Sequence, residues 1–592
     1  MKHQGKKYEV ELDPTSTGET FKYQLYSLTS VEPERQKILV KGGQLKDEAE
    51  LSTLGAKPGQ TFMMMGTPSG GDVVRPAEKM RFVEDMTEAE VAKAEGATPA
   101  GLQNLGNTCY LNSTLQTLRS VPELQEELQK YSASAVGGQG SSGMDLSQFG
   151  LQGSFDLTAS LRDLYKQMSE TQQGFPPLIF LNALRTAFPQ FAQRAKSGNG
   201  YAQQDAEEAW SQIISQLRQK LKTRNAVSNG SEVKDADISF IDKYLAGRFE
   251  SILECDEPAA KEAGEEAVHS EDVFLKLDCH INKDINHLRD GILAGLEEKI
   301  EKRSPTLERD TIYTKKSRIA RLPKYLTIHF VRFFWKREAQ KKAKIMRKVS
   351  FPPELDVVEF CTETLRKQLV PVRDKVREVR KDEEDVVRAR KRQKLAHKQE
   401  EDRVTDAKAK DPADEKKLAD KKEATKAKQT ADGDTTMDDA VYKTDAEHDA
   451  ERAASLHQAK KELFALINPD LAKDDGANKS GLYELRGLVT HQGASADSGH
   501  YTSYVKKQGL VDPKTGKRKE EDGKWWWFND DKVSEVEAEK IETLSGGGKS
   551  FPAPRGRLTM VLMANWCVGE SHSALILLYR AIDLPTAEEV KD

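Results

Sequence analysis

The sequence is poor in cysteine. Its five cysteines, in 592 residues, are Cys109, Cys255, Cys279, Cys361 and Cys567. They are odd in number, lie far apart and include no C-x-x-C pair. This pattern argues against a disulfide framework and against a cysteine-based zinc site, and it indicates a reducing compartment.

Long apolar runs are also missing. The first residues, MKHQGKKYEV, contain no hydrophobic stretch of the signal-peptide type. No run approaches the ~18 apolar residues that a membrane span needs. The formal net charge is only -5, so no excess of one sign would attract nucleic acid. We therefore expect an intracellular, soluble protein that binds neither membrane nor nucleic acid.

The N-terminal segment has a compact α+β pattern. Apolar residues alternate with charged ones over residues 8–12, which predicts a half-buried strand. Apolar residues then recur at helical spacing from Phe21 to Leu28, and QKILV (36–40) and PGQTFMMM (58–65) are typical of short strands. The sequence predicts one small domain here.

Two polar stretches interrupt the rest of the chain. A flexible linker is predicted over residues 68–98. A charged stretch from about 372 to 455 has few aromatics and cannot bury enough apolar surface to offset chain entropy. Part of it could form a solvated helix, and the remainder is expected to be disordered. Its basic run RARKRQK (388–394) fits either a nuclear-import signal or an ordinary block of charge.

The stretch GLQNLGNTCYLNSTLQTL places Cys109 between a Gly- and Asn-rich turn and an apolar pattern of helical period. A thiol at a helix N-terminus is favoured as the thiolate, and nearby Asn104 could donate to the oxyanion of an acyl intermediate. The alternative is a buried core cysteine. The local pattern alone leaves both interpretations open.

A thiol nucleophile needs a base, and one histidine has an unusual context. His500 follows a Ser-Gly turn and precedes a strand-like YTSYV, and the loop HQGASADSG (491–499) before it could move over a cleft. In KWWWFNDDKVSEV, the aromatic strand is followed by Asn529 and Asp530, whose oxygens could hold the second imidazole nitrogen. The alternatives are a core strand and a polar turn.

These stretches resemble the motifs of the ubiquitin-specific proteases. GLQNLGNTCYLNSTLQ is similar to that family's Cys box, and GASADSGHYTSYV with WWWFNDDKVSEV resembles its His box. QQDAEEAW (203–210) and LPKYLTIHFVRF (322–333) resemble two motifs that lie between them, and the order over about 98–580 is the family's own. In the N-terminal segment, QKILVKGGQLKD resembles ubiquitin itself.

The resemblance implies an α+β architecture. The expected parts, in chain order, are a β-grasp ubiquitin-like domain over 1–67, the linker over 68–98, a papain-like catalytic domain of thumb, palm and fingers over 99–581, and a tail over 582–592. The fingers of many relatives hold zinc through two C-x-x-C pairs. Here the corresponding stretch has only Cys255 and Cys279, so we expect no metal site.

The resemblance also implies catalytic roles. Cys109 would be the nucleophile, His500 the general base and then acid, and Asn104 the oxyanion donor. Asn529 would orient His500, although many relatives have Asp at this position, and an amide cannot pair ionically with an imidazolium. Because neighbouring strand residues face opposite ways, Asp530 is expected to be at most an auxiliary.

Contacts with ubiquitin are implied at Gln203, Asp205, Glu208 and Tyr501. The carboxylates of this set suit the arginines of ubiquitin's C-terminal tail. No cofactor is needed for this chemistry. In similar enzymes two loops block the cleft until a partner engages, and here they would be 333–351 and 491–499. The alternative is that both are simply mobile loops.

The expected function is removal of ubiquitin from conjugates by hydrolysis after its C-terminal Gly. The expected partners are ubiquitin, ubiquitinated proteins and, through the ubiquitin-like domain, the regulatory particle of the 26S proteasome. The free protein is expected to be a monomer in cytoplasm and nucleus. The alternatives are a non-catalytic ubiquitin-binding regulator of the proteasome and a processing enzyme for another ubiquitin-like modifier.

Near the C-terminus, residues 549–569 break the pattern. Without them, SGGGESHSALILLYR would run smoothly into a last strand. The segment is interpreted as a translated intron, with a surface insertion as the alternative, and uninterrupted transcript reads across it would refute the intron.

Overall fold

The structure, a computed structural model, describes residues 1–3, 6–8, 10, 12–29, 31–40, 43–54, 56, 60–66, 87–93, 97–132, 156–195, 200–225, 236–336, 341–410, 445–495, 498–509, 521–546, 572–587 and 590. The chain divides into two compact units, Met1–Met86 and Thr87–Asp592. No helix within these residues is both long and apolar enough to cross a membrane. The predicted insertion at 549–569 and Cys567 lie outside the described residues.

The described residues of the first unit form a five-stranded sheet and one α-helix. Its elements are β1 (Lys2–His3), β2 (Lys6–Lys7), α1 (Gly18–Thr29), β3 (Lys37–Val40), β4 (Gly43–Gln44) and β5 (Met63–Met65). The strand order is β2-β1-β5-β3-β4, with β1 parallel to β5 and the other pairs antiparallel. This is the arrangement of a β-grasp fold.

Packing in the first unit corrects two details of the sequence prediction. The hairpin strands lie at residues 2–7, and no strand is described over 8–12. Phe21 and Leu25 bury against the sheet, but Leu28 is exposed because the helix turns it away from the core. The buried face of α1 is therefore narrower than the spacing of its apolar residues predicted.

The second unit begins with helices and continues into sheets. Its first elements are α2 (Glu88–Lys93), α3 (Cys109–Arg119), α4 (Pro122–Lys130), α5 (Leu157–Met168), α6 (Leu178–Ala187), α7 (Ala206–Lys220), β6 (Lys222–Asn225), β7 (Ala236–Ser239) and α8 (Phe240–Tyr244). Helices α3 to α8 share one apolar core, whose members include Leu111, Leu115 and Trp210. α2 falls inside the stretch predicted to be a flexible linker.

The remaining elements of the second unit follow in chain order. They are β8 (Gly247–Cys255), α9 (Pro258–Glu262), β9 (Val268–Phe274), β10 (Leu277–His280), α10 (Leu288–Gly295), β11 (Glu297–Arg303), β12 (Asp310–Arg321), β13 (Tyr325–Val331), β14 (Phe333–Lys336), β15 (Lys341–Lys344), β16 (Glu354–Asp356), α11 (Glu363–Lys410), α12 (Asp445–Leu466), α13 (Pro469–Ala472), β17 (Leu482–Ser495), β18 (Ser498–Lys506), β19 (Trp525–Asn529), β20 (Lys532–Val536), α14 (Glu539–Glu542) and β21 (His572–Ala581).

The main sheet carries the candidate site. Its order is β10-β13-β21-β17-β18-β19-β20, with β16 paired to β17. Strands β13, β17 and β21 are buried, and their apolar side chains divide between two hydrophobic cores, one of which they share with the helices α3 to α8. α3 packs on β18, so the Cys box and the His box meet across the boundary between the helices and this sheet.

A second sheet, β11-β12-β8-β9, corresponds to the expected fingers. Cys255 lies on β8 in a small core with Tyr313, whereas Cys279 lies on β10 in the core of the main sheet. The four described cysteines are free thiols. No cluster of three or more metal-ligating side chains occurs within the described part of the chain.

The charged insertion contains more structure than predicted. α11 and α12 pack together through Val372, Val376 and Leu463, which bury against Leu482 of β17. The packed part therefore extends past residue 372, where the solvated stretch was predicted to begin, because these valines recur at helical spacing among the charges. The basic run 388–394 lies on α11, and residues 411–444 fall outside the described chain.

Candidate active site

Cys109 is the first residue of α3. The chain enters this helix through Gly106 (φ 94°) and Asn107 (φ 57°), a left-handed pair that glycine and asparagine tolerate best. Asn107 donates its amide to the Tyr201 carbonyl at 2.9 Å, which holds the turn against the segment before α7. The Gly- and Asn-rich sequence before Cys109 is thus explained by this turn.

The thiol of Cys109 is buried. The residue is 3% exposed, and burial raises the pKa of its thiol to about 11, with a further rise from the negative charge of Asp530. A backbone hydrogen bond from Tyr501 lowers the pKa but does not offset burial. The resting group is therefore the neutral thiol. The helix N-terminus predicted a thiolate, whereas burial of the sulfur favours the neutral thiol.

His500 lies on β18, next in sequence to the residue that contacts the thiol. The backbone N–H of the next residue, Tyr501, reaches the Cys109 sulfur. The imidazole donates from Nε2 to Oδ1 of Asn529 at 2.6 Å. That bond leaves Nδ1 as the nitrogen without a proton. The structure thus brings together Cys109, His500 and Asn529, which are separated by about 420 positions of sequence.

Asp530 lies in the turn after β19 with φ 53°. It therefore leaves the strand, and the alternation of strand side chains no longer governs where it points. Its carboxylate accepts from Asn104 at 3.0 Å and from Asn112 at 2.8 Å, and it lies 3.9 Å from Nε2 of His500. Its carbonyl accepts from the N–H of Leu102 at 2.9 Å. Asp530 is thus mainly a brace for the Cys-box loop.

Asn104 is exposed and oriented from both ends of its amide. Its oxygen accepts from the N–H groups of Gly106 and Thr108, each at 3.1 Å, and its nitrogen donates to Asp530. One amide hydrogen remains for a ligand. Asn112, which the sequence reasoning missed, is 2% exposed and donates to Asp530. The signal was a lone asparagine three positions after Cys109 in a leucine-rich helix.

The predicted ubiquitin contacts lie at the start of α7. Asp205 is the N-cap and accepts from the N–H of Glu207 at 3.0 Å, and Glu208 lies in the first turn. The buried Nε2 atom of Gln203 has no hydrogen-bond partner among the described residues. Tyr501 differs from expectation: its side chain is 0% exposed and packs in the core, so it does not line the surface.

The two segments predicted to be blocking loops contact each other through Lys344 and His491. Segment 333–351 begins with the β14–β15 hairpin, and 491–499 forms the β17–β18 hairpin. Lys344 Nζ donates to the carbonyl of His491 at 2.6 Å and lies 3.2 Å from its Nδ1. The rings of Phe333 and Tyr501 pack on His491 at 5.3 and 4.6 Å.

Four buried bases gather at this junction. Burial lowers the pKa of Lys344 to about 7, of His491 to about 3 and of His572 to about 4. Arg332 is fully buried, and its acceptors among the described residues are backbone carbonyls, one of them Ala574 at 2.9 Å. The sequence reasoning missed all four, since they come from three separate segments.

Comparison with known proteins shows which families the chain is similar to. The family model described as "Ubiquitin carboxyl-terminal hydrolase" matches residues 100–579, and the model "Ubiquitin family" matches 1–69. "Ubiquitin carboxyl-terminal hydrolase 6" of Schizosaccharomyces pombe is 40% identical over 99% of this chain and 98% of its own length. "Ubiquitin carboxyl-terminal hydrolase 7" of Arabidopsis thaliana is 38% identical over 93% and 95%, respectively. "Ubiquitin carboxyl-terminal hydrolase 14" of Caenorhabditis elegans is 30% identical over 98% and 92%. The resemblance and the α+β fold class inferred from the sequence are confirmed.

Proposed function

The chain belongs to the ubiquitin carboxyl-terminal hydrolase family and is a deubiquitinating cysteine hydrolase, and we propose that Cys109, His500 and Asn529 perform its reaction on conjugates held at the proteasome. The observation that carries the proposal is the 2.6 Å bond from His500 to Asn529, on the strand whose next N–H reaches the Cys109 sulfur. These contacts support the roles proposed for Cys109 as nucleophile, His500 as base and Asn529 as orienting group.

The first half of the reaction forms an acyl-enzyme. His500 Nδ1 takes the thiol proton as the sulfur attacks the carbonyl carbon of ubiquitin's terminal glycine. An amide hydrogen of Asn104 donates to the oxyanion. The intermediate then collapses, the C–N bond breaks, and the imidazolium returns its proton to the leaving lysine amine.

The second half releases ubiquitin. His500 removes a proton from water, the hydroxide attacks the thioester, and the C–S bond breaks with return of the proton to Cys109. Asn529 is neutral, so it fixes the tautomer without balancing the imidazolium charge. The carboxylate of Asp530, 3.9 Å from Nε2, supplies that balance. The Asn at position 529 is therefore compatible with the chemistry.

Binding of the ubiquitin tail is assigned to the start of α7. The carboxylates of Asp205 and Glu208 suit arginine side chains, and the amide Nε2 of Gln203 suits a backbone carbonyl of an extended tail. We expect Gln203→Ala to raise KM more than it lowers kcat, because the contact is made in ground state and transition state alike.

Docking at the proteasome is assigned to the ubiquitin-like unit. Leu39, Met63 and Met65 are 44–51% exposed and lie on neighbouring strands, with Leu39 paired to Met63. The intervening Ile38 and Met64 point to the helix instead. This apolar patch on the open face of the sheet supports a protein partner. Met63→Asp should abolish binding to purified proteasome while hydrolysis by the free enzyme is retained.

The decisive experiment uses a ubiquitin probe with a C-terminal electrophile. The intact protein should form one covalent adduct, faster with purified 26S proteasome present, since Cys109 is 3% exposed in the free chain. Cys109→Ala should form none, and the matched variant Cys255→Ala, altered on a distant strand, should react normally. An adduct with Cys109→Ala would refute the assignment.

The burial of Cys109 also favours a second candidate, a ubiquitin-binding regulator that does not turn over. Absence of an adduct and of hydrolysis, even with proteasome, would select that role. Modifier specificity is tested separately by comparing fluorogenic conjugates of ubiquitin and its relatives. A location in cytoplasm and nucleus is part of the proposal, and imaging of the tagged chain with and without residues 388–394 tests it.

A further inference from the structure

Gly101 and Gly174 lie directly against the 530–531 turn, which follows Asn529. A Cβ on Gly174 would lie 2.6 Å from the Cβ of Asp531 and 3.3 Å from its Cα. A Cβ on Gly101 would lie 2.5 Å from the carbonyl oxygen of Asp531. Ordinary carbon contacts need about 3.5–4.0 Å, so neither glycine position has room for a side chain.

The two glycine segments are bonded to each other as well as to the turn. The N–H of Gln103 donates to the carbonyl of Phe175 at 2.9 Å, and that of Phe175 donates to Gly101 at 3.0 Å. The Gln103 side chain donates to the Gly174 carbonyl at 2.9 Å. The loop between α5 and α6 therefore forms, with the Cys-box segment, a rigid seat for the turn.

We propose that Gly174 is a positioning residue of the hydrolase, whose missing side chain lets the 530–531 turn sit deep enough to hold Asn529 against His500. The seat also sets the distance from Asp530 to Asn104, since both belong to bonded segments of this junction. The inference rests on the roles proposed above for Cys109, His500 and Asn529.

The expected consequence of filling the seat is a selective loss of turnover. Alanine at 174 must push the turn outward by about 1 Å to reach normal contact. The 2.6 Å bond from His500 to Asn529 would then lengthen beyond good hydrogen-bond geometry. A displacement of about 1 Å can cost ~100-fold in rate. The start of α7 is untouched, so ubiquitin binding is expected to hold.

The test is steady-state hydrolysis of a ubiquitin fluorogenic substrate by the full chain. Gly174→Ala should lower kcat by about 30- to 100-fold with KM within about twofold. The matched control is Gly200→Ala, because no described atom lies within 4 Å of a Cβ at that glycine. It should keep the intact protein's kcat and KM.

A compensating variant separates positioning from loss of fold. The clash at Gly174 is with a side-chain carbon, so Asp531→Gly in the Gly174→Ala background should restore kcat to within about threefold. The clash at Gly101 is with backbone, so Asp531→Gly should not rescue Gly101→Ala. The proposal is overturned if Asp531→Gly rescues both Gly174→Ala and Gly101→Ala, or if it rescues neither. The same criterion applies if Gly174→Ala alone folds poorly.

Failure of the inference is distinguishable from failure of the proposed function. If Asn529→Ala hydrolyses as fast as the intact protein, the catalytic roles are wrong. If Cys109→Ala and Asn529→Ala are impaired but Gly174→Ala turns over at the intact protein's rate, only the positioning role of Gly174 is wrong.

Discussion

The polar groups on the two sides of His500 differ in whether they are paired with groups of complementary type. On the side of the 529–531 turn, the acceptors Asn529 and Asp530 are matched by donors from the imidazole and from the Cys-box loop. On the other side, Lys344, His491 and their neighbours are bases, and no carboxylate among the described residues bonds to them.

The difference separates geometry from charge. A satisfied polar network fixes atoms in place. Lys344, His491 and His572 are buried without counterions beside the charged Arg332, so protonating any of them is costly. The turn therefore sets the alignment of the site, and the basic cluster ties the packing of both hairpins to pH.

The largest effect should come from breaking the turn side. Asp530→Ala removes the acceptor of two asparagines, one of them buried, and also leaves His500 without a nearby negative charge. We expect kcat to fall by about 10³-fold, within the range of lost acid–base and electrostatic catalysis. The free energy of unfolding should fall by about 1–3 kcal/mol.

Hydrolysis kinetics and urea unfolding measure both changes. Asp531→Ala is the matched control because its side chain is exposed and adjacent. Equal kinetics for the two alanine variants would show that the brace is dispensable.

This side was only partly predictable from sequence. The motifs pointed to Cys109, His500 and Asn529. Strand alternation could not predict the bonds from Asp530 to the Cys-box loop. The strand ends at Asn529, and Asp530 has a positive φ. The buried state of the Cys109 thiol depends on the sum of neighbours from β18 and the Cys box, which no local pattern contains.

The basic side was invisible in the sequence for a different reason. Lys344, His491 and His572 are separated by about 80 to 150 positions. The pairing of β17 with β21 brings the two histidines together, and Lys344 on β15 reaches the carbonyl of His491. Each, taken alone, is typical of an exposed polar residue. Long-range sheet pairing, unlike helix caps or turns, leaves no local signal of which residues meet.

The next effect should be loss of stability in acid. His491 and His572 have a folded pKa lowered to about 3 and 4, so the unfolded chain binds more protons below pH 6.5. Stability should therefore fall as pH drops from 6.5, by about 1.4 kcal/mol per unit for each histidine. His491→Gln with His572→Gln should flatten this slope in urea unfolding between pH 6.5 and 5. His269→Gln, an exposed histidine, should leave the slope unchanged, and an equal slope in the double variant would contradict the cluster's role.

A smaller effect is expected on the alkaline side. Burial lowers the pKa of Lys344 to about 7, so between pH 7 and the usual lysine range the unfolded chain holds a proton that the folded chain lacks. The lowered pKa of Lys344 should therefore raise the free energy of unfolding by about 2 kcal/mol from pH 7 to 9. Lys344→Met should lose that rise and Lys348→Met, exposed four positions later, should keep it. The measurement is urea unfolding at both pH values, and a rise that survives in Lys344→Met would place its origin elsewhere.

The smallest effect should come from the hydrogen bonds that join the α5–α6 loop to α2. The loop that seats the 530–531 turn is also bonded to α2, where Thr171 donates to Glu88 and Gln172 donates to the Val91 carbonyl at 3.3 Å. Thr171→Ala removes two exposed hydrogen bonds, because Thr171 Oγ1 also accepts from the N–H of Gln173 at 3.1 Å, and each is worth about 0.5–1.5 kcal/mol. The bonds from Gln103 to Gly174 and Phe175 remain. We expect kcat to fall by no more than about threefold, with Thr186→Ala on α6 as the control. A fall as large as that of Gly174→Ala would mean that α2, and not the seat alone, determines where the turn lies. The alignment of His500 would then depend on the first helix of the second unit, and the division between a rigid side and a pH-dependent side would no longer be local to the site.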